Sequence, residues 1–318
     1  MAVVDSTGKL LASVGDPVGK IAYWRSAAKP FQAFPLISTG AAERWGMTPA
    51  DLALIAGSHN GERIHVTRAS ALLERIGCDV TDLVCGPHPP LEPEAAAELM
   101  RRHEEPVALH NNCSGKHIGM LALAEHLGVS RLGYQSQGHP VQAAVSSTIS
   151  DVTGLPAEAV TIGIDGCAVP CFGTSVYHLA LAFARMMDPT AVAGPSRLAA
   201  QAISAAMVAH PYLVAGKGRL DTDLMHVAGG RLVAKGGASG VQCVGLSEGV
   251  ALAIKIEDGS MGPPPSAGAV VALAALHQLG VLDEAQIGSL TAHARPQLRN
   301  VTGQIVGEAR PMFELIRH

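Results

Sequence analysis

The sequence predicts an α+β protein in which strands from both ends of the chain build one antiparallel sheet, with a helical lobe inserted between them. Three observations lead there. Strand-like runs open the chain and return near residue 159, helix-spaced apolar residues fill the stretch between, and three closely spaced apolar runs at 231–256 read as a meander.

At the N-terminus, Ala2-Val3-Val4-Asp5 and Leu10-Leu11-Ala12-Ser13-Val14 flank the turn-forming Ser6-Thr7-Gly8-Lys9, which predicts a β-hairpin. Helices follow. Thr48-Pro49-Ala50-Asp51 supplies a cap residue, a proline at the first helical position and an acid in the first turn. Arg63 to Ile76, Pro93 to His103, Gly115 to Leu127 and Pro140 to Val152 carry apolar residues at helical spacing. Ala159 to Ile164 returns to strand character, as do Arg231 to Lys235, Val241 to Leu246 and Val250 to Ile256; helices are expected again after Ala267. No linker, repeat or low-complexity tract interrupts the chain, so residues 1–318 are expected to form one domain. Its sheet parts span about 1–25 and 156–318 and its helical lobe about 46–155.

Composition narrows the function classes. A chain of 318 residues with 48% hydrophobic and 16% charged residues buries a core without needing a metal or disulfide to fold. With only five Phe, two Trp and four Tyr, that core is built of alanine and aliphatics. A net charge of -4 and no block of like charges leave no footprint for nucleic acid or an anionic membrane surface. Met1 is followed by neither a basic nor an apolar targeting run, so a cytoplasmic location is expected, with the six cysteines as reduced thiols or metal ligands. The uncharged segment Gly262 to Leu282 holds three prolines, His277 and Gln278, and reads as a loop and a buried helix and not as a membrane span. Lysine is scarce: seven, at 9, 20, 29, 116, 217, 235 and 255, against sixteen arginines. Each lysine therefore invites a chemical reason, because its proton is removable and that of arginine is not.

Several familiar signatures are absent. Gly115-Lys116 lacks both the glycine and the hydroxyl residue of a phosphate loop, and no H-E-x-x-H, G-x-S-x-G or strand-following G-x-G-x-x-G occurs. What remains is Ser26-Ala27-Ala28-Lys29. A lysine three residues after a serine lies on the same helix face, and a desolvated amine can take the serine proton. Alone, the spacing also occurs on solvated helix faces. Ser58-His59-Asn60 and Lys235-Gly236-Gly237 follow in the order S-x-x-K, S-x-N, K-x-G of penicillin-recognising serine enzymes, with Lys-Gly-Gly in place of Lys-Thr-Gly. By ligand chemistry alone, Cys113, His117, Cys167 and Cys171 could form a soft nitrogen and sulfur zinc site; Cys167 and Cys171 could equally be small buried apolar residues. Cys78, Cys85 and Cys243 carry no assigned role.

Taken together, Arg25 to Gln32, Gly57 to Glu62, His110 to His117, Asp165-Gly166-Cys167 and Lys235 to Gly237 resemble, in order and over nearly the whole chain, the L-asparaginase II family of the Rhizobium etli type. The resemblance implies a serine β-lactamase/DD-peptidase-like fold, a homodimer, and hydrolysis of L-asparagine to L-aspartate and ammonia. It implies two Ser-Lys tandems, Ser26 with Lys29 and Ser58 with Lys235, and one supportive zinc per subunit held by Cys113, Lys116 and Cys167. That ligand set replaces His117 and Cys171 of the residue-based reading. Family members usually carry a further strand-forming segment, about twenty residues long, ahead of the Ala-Val-Val-Asp strand; here Met1 precedes it directly, so that either the start is misplaced or an edge strand is absent, the latter bearing on sheet completeness and dimer stability.

The expected chemistry has neutral Lys29 taking the proton of Ser26, backbone N–H groups stabilising the oxyanion, and Ser58 and Lys235 relaying protons, while spacing leaves open which of the two serines is acylated. Asp165 is expected to hold the substrate ammonium or a catalytic lysine, or else to be a structural residue at a strand end. His59, Asn60 and His117 are the remaining substrate-binding candidates. The rivals are a serine amidase or peptidase of the penicillin-recognising type and a non-catalytic zinc-binding protein.

Overall fold

A computed structural model describes residues 1–259 and 266–318. Strands β1 (Ala2–Asp5) and β2 (Leu10–Ser13) form the expected hairpin, with Ala2 opposite Ser13. Its turn closes because the Asp5 carboxylate accepts the backbone N–H groups of Thr7 and Lys9, both at 3.0 Å. Strands β3 (Ile21–Tyr23), β4 (Thr161–Ile164) and β5 (Pro170–Ser175) form a small antiparallel sheet in the order β3-β5-β4. The meander follows as β6 (Leu232–Gly237), β7 (Val241–Leu246) and β8 (Val250–Lys255). Near the C-terminus, β9 (Gln297–Arg299) pairs with β10 (Ile305–Glu308), and β11 (Ile316–Arg317) joins the edge of the main sheet.

The main sheet runs β11-β2-β1-β8-β7-β6, all antiparallel, so strands from both ends of the chain do build it together. The architecture is α+β. Helices cover both faces of the sheet. A side chain added at Gly245 would meet Met187 of helix Val176–Met187, while Gln242, three residues away on β7 and so on the other face, lies against Gly268 of helix Ala267–Gln278. Coverage on both sides explains why β7 is buried throughout and shows no alternation of polar and apolar residues.

One strand sits elsewhere than the sequence pattern suggests. Thr161–Ile164 does not join the main sheet; a tight turn, in which Asp165 N–H bonds to the Val169 carbonyl at 2.9 Å, folds it back on β5. The stretch between the expected sheet part and lobe is helical, as a 3-10 turn Arg25–Ala28 and short helices Lys29–Gln32, Phe34–Ser38 and Ala41–Arg44. Pro30 and Pro35 each sit in a first turn, where their missing N–H costs nothing, and so divide the segment into pieces.

Two helices of the lobe position the site. Pro49–Ala56 starts at a Thr48/Asp51 capping box, and the buried Asp51 carboxylate also binds Arg68 at 2.7 Å and Arg75 at 3.1 Å. Ser114–Leu127 is buried from Ser114 to Ala124, because Gly115 lets it press against Leu54: a Cβ there would lie 2.5 Å from the Leu54 carbonyl oxygen. Lys116 and His117 are thereby held inside the protein. Helix Pro195–Ala209, from the second half of the chain, packs on Phe34–Ser38 and Pro49–Ala56. Of the uncharged segment 262–282, residues 262–265 lie outside the described residues and the rest includes the largely buried helix Ala267–Gln278. Among the described residues no helix is long and apolar enough to cross a membrane.

Candidate active site

Three segments far apart in sequence converge on one hydroxyl. The first is the turn at Arg25–Ala28, anchored by Trp24, whose indole donates to Thr174 at 2.8 Å and whose ring meets Phe31 edge-on. It leaves Ser26 partly accessible and sends Lys29 into the interior. The second follows helix Pro49–Ala56, where Ser58 is fixed by its N–H bond to the Val214 carbonyl at 2.7 Å. The third is the end of β6, which carries the fully buried Lys235.

Lys29 Nζ donates to Ser58 Oγ at 2.8 Å, and Lys235 Nζ lies 2.9 Å from the same oxygen. Each amine also donates to a carbonyl, Lys29 to Asn112 at 2.8 Å and Lys235 to Gly236 at 2.7 Å. Ser26 lies beside this group: a Cβ at Gly237 would stand 2.7 Å from the Trp24 carbonyl oxygen and 3.3 Å from Ala27 N, so the end of β6 presses on the turn that holds Ser26. The Ser26 hydroxyl makes no hydrogen bond among the described residues. The two lysines therefore meet at Ser58, and Lys29 is not bonded to Ser26 here. A resting geometry of this kind does not remove Lys29 from the chemistry, since such bonds tighten on binding.

Burial dominates the electrostatics. It drives Lys235 down to about 7, with Lys29 and Arg219 acting in the same sense and Asp221 against it. Lys29 is also lowered by burial, opposed by Cys113. One hydroxyl has one proton to give, so between two amines it donates to a neutral amine and accepts from a protonated one.

The sulfur group is adjacent. Lys116 Nζ donates to Cys167 Sγ at 2.8 Å, and Cys113 hydrogen-bonds Cys167. That bond holds the Cys113 thiol well below its ordinary range despite burial, helped by Lys29 and Lys116, and pushes Cys167 up. The pair thus shares one proton, and titrates as a unit. Burial works against the Lys116 cation, but the two sulfurs outweigh it and raise its pKa. Among the described residues no three His, Cys, Asp or Glu side chains are grouped to hold a metal. The expected set has two such residues and a lysine, and its sulfur and nitrogen donors are chemically suited to zinc once the metal displaces their protons. Cys171 is buried, with its thiol pushed up by burial, and His117 bonds elsewhere. All six cysteines are free.

The sequence profile of the L-asparaginase II family matches residues 1–311. The chain belongs to the L-asparaginase II family. Its activity is accordingly of the asparaginase type, that of a hydrolase acting on amides, with a small-molecule substrate. No curated protein matches the chain.

In this L-asparaginase II protein the other expected residues divide by how their polar atoms are used. Both ring nitrogens of His59 are engaged: Nδ1 accepts Gly61 N–H at 3.1 Å, so Nε2 carries the proton and donates to Ser114 Oγ at 2.9 Å. Asn60 ties down a loop, donating to the Lys217 carbonyl at 3.0 Å and accepting from Arg219 at 2.9 Å. His117 differs. Its Nδ1 meets Tyr134 OH at 2.6 Å and its buried Nε2 has no partner among the described residues, which leaves a polar atom for a ligand. Asp165 accepts from Arg25 Nε at 2.8 Å and from Gly166 N at 2.9 Å. Burial pushes its carboxyl up, but Lys116 and Arg25 outweigh this and hold it below the usual range.

Sequence reasoning passes over Asn112, Tyr134, Arg219 and Asp221. Asn112 stands inside a quoted motif and was legible; Asp221 has no local signal and is placed only by the tertiary fold. Arg25, also within a motif, has a left-handed φ of 51° and bonds Ser239, itself at φ 61°. Such strain concentrates at functional sites. A surface hollow of about 540 Å³ lined by Asp51, Arg63, Arg68 and Arg75 shares no residue with this group.

Proposed function

We propose that the protein hydrolyses L-asparagine to L-aspartate and ammonia by serine chemistry, on a serine β-lactamase-like arrangement of sheet and lobe. The observation that carries the reading is Ser58 Oγ between two buried lysine amines, at 2.8 and 2.9 Å. Ser26, the accessible serine, attacks the side-chain carboxamide. Its proton passes through Ser58 to Lys235, whose amine burial holds at about 7, close to a working pH. This moves the final acceptor from Lys29, expected from spacing, to Lys235. Lys29 stays on Ser58 as the charged partner. Ammonia leaves with a returned proton, and water cleaves the β-aspartyl ester to regenerate Ser26.

His117 Nε2 and Asp165 face the substrate in this reading; His59 and Asn60 shape its pocket from behind. Cys113, Lys116 and Cys167 would hold zinc, which when bound supplies a fixed positive charge that steadies the site. A homodimer in the cytoplasm completes the proposal, and six unpaired cysteines suit a reducing compartment.

The test is ammonia release from asparagine, compared with glutamine and a chromogenic β-lactam. Release from asparagine that disappears in Ser26→Ala supports the proposal. Undiminished release in Ser26→Ala overturns the nucleophile assignment. Turnover confined to the β-lactam indicates a penicillin-type amidase, and stoichiometric zinc with no turnover of any substrate indicates a non-catalytic binder.

A further inference from the structure

Lys235 is a buried amine with one anionic neighbour close at hand. Asp221, in the first turn of helix Leu220–Val227, is itself buried and has Oδ2 3.9 Å from Lys235 Nζ. Two bonds fix it there: Oδ2 accepts Gly236 N–H at 2.9 Å and Oδ1 accepts Gln242 Nε2 at 3.0 Å. Gly236 and Gln242 are register partners across β6 and β7, so the carboxylate clasps one cross-strand pair right beside the lysine.

The glycine at 236 belongs to this arrangement. A Cβ there would stand 3.1 Å from Gln242 Oε1 and 3.6 Å from each Asp221 carboxylate oxygen. A threonine at this position would add further atoms where Asp221 and Gln242 meet. The substitution of Lys-Gly-Gly for Lys-Thr-Gly thus falls where a carboxylate backs the lysine.

Of the other groups facing Lys235, Cys113 alone acts in the same sense as Asp221, and more weakly. Lys29, from helix Lys29–Gln32, and Arg219, just ahead of the Asp221 helix, oppose a proton on Lys235. Cys113 favours one, from the sulfur group. Cys243, the register partner of Lys235, is a buried thiol pushed well up by burial and stays neutral.

We propose that Asp221 is a positioning residue for the Lys235 amine: clasped by Gly236 and Gln242, it keeps the amine on Ser58 and able both to take a proton and to return it. The inference rests on the asparaginase reading for its kinetic consequence but not for its physical one. Without Asp221, burial and the two cations would leave an amine too weakly basic to accept the serine proton.

The experiment follows the lysines by nuclear magnetic resonance of 13Cε-labelled full-length protein, where seven lysines make few signals and Lys235→Arg identifies the one of interest. In Asp221→Asn, Gln242 can turn its amide and keep its bond to residue 221, giving up only its longer 3.3 Å bond to the Cys243 carbonyl, so mainly charge is lost. The Lys235 titration midpoint is expected to fall by roughly one to three pH units, the range for losing an opposite charge at this distance. The acid limb of kcat/KM for asparagine moves to lower pH with it, and Asp221→Glu restores the wild-type midpoint. Should Asp221→Asn fail to melt cooperatively, Asp221→Ser is read the same way. A Lys235 midpoint unchanged by loss of the carboxylate, with activity reduced equally at every pH, reduces Asp221 to a brace for β6 and overturns the proposal. If the wild-type protein releases no ammonia from asparagine, the function proposal falls while the titration still decides the role of Asp221.

Discussion

Replacing Lys235 by Met isolates the cost of burying an amine. In the folded protein Lys235 loses its proton at about 7, against an ordinary value of 10.5. Below the lower value it is protonated in both states and the folded state bears the full cost of an enclosed cation. Between 7 and 10.5 the unfolded chain binds a proton that the folded protein does not, so stability rises with pH through this window. It is complete above 10.5 and lost as pH falls through 7. The slope is about 1.4 kcal/mol per pH unit, or about 3 kcal/mol over two units. Met fills similar space without titrating, so the difference in unfolding free energy, wild type minus Lys235→Met, should climb by that amount across the two units above pH 7.5. The assay is urea denaturation at several pH values, followed by far-ultraviolet circular dichroism. The raised thiol of Cys243 contributes to both proteins and cancels. A difference that stays flat across the window refutes the assignment of Lys235 as a neutral buried amine, and with it the proton acceptor of the proposed mechanism.

Ser58→Ala should keep its fold and lower kcat/KM for asparagine by roughly 10²- to 10⁴-fold, the usual range for loss of a proton relay, as read by ammonia release. Arginine at position 116 or 235 should abolish that activity, because arginine has neither a removable proton nor a suitable lone pair. Gly237→Ala would set a methyl 2.7 Å from the Trp24 carbonyl oxygen; a loss of about 1–3 kcal/mol is expected in denaturant titration, together with lowered activity as the Ser26 turn shifts. Cys113→Ser and Cys167→Ser should each remove stoichiometric zinc, measured by elemental analysis after dialysis. Retention of a full equivalent in both variants places the metal elsewhere.

Much of the fold is legible locally. The N-terminal hairpin, the capped start at Thr48, the helices near 63, 93, 115 and 140 and the three meander strands announce themselves by turn residues, caps and periodicity. Helix Val176–Met187 has a Ser175 cap too, but it follows β5 with no Gly or Pro between them, so periodicity alone blurs the junction. The assignment of Thr161–Ile164 to a separate sheet also escapes local reading, since apolar alternation says that a strand exists and not which strand it pairs with.

The same division holds at the site. The serines and lysines of the proposed site, their order and the family membership of the chain are carried by the sequence, because motifs are local and survive being read one segment at a time. Which serine meets which lysine is not. Lys235 reaches Ser58 across 177 residues, through the packing of β6 on the turn Arg25–Ala28 and on helix Leu220–Val227, and Asp221 reaches Lys235 only because β6 and β7 present Gly236 and Gln242 side by side. Charge follows packing in turn: a lysine in sequence is a cation, and the enclosure of Lys235 in the folded protein is what lets it lose its proton near neutral pH.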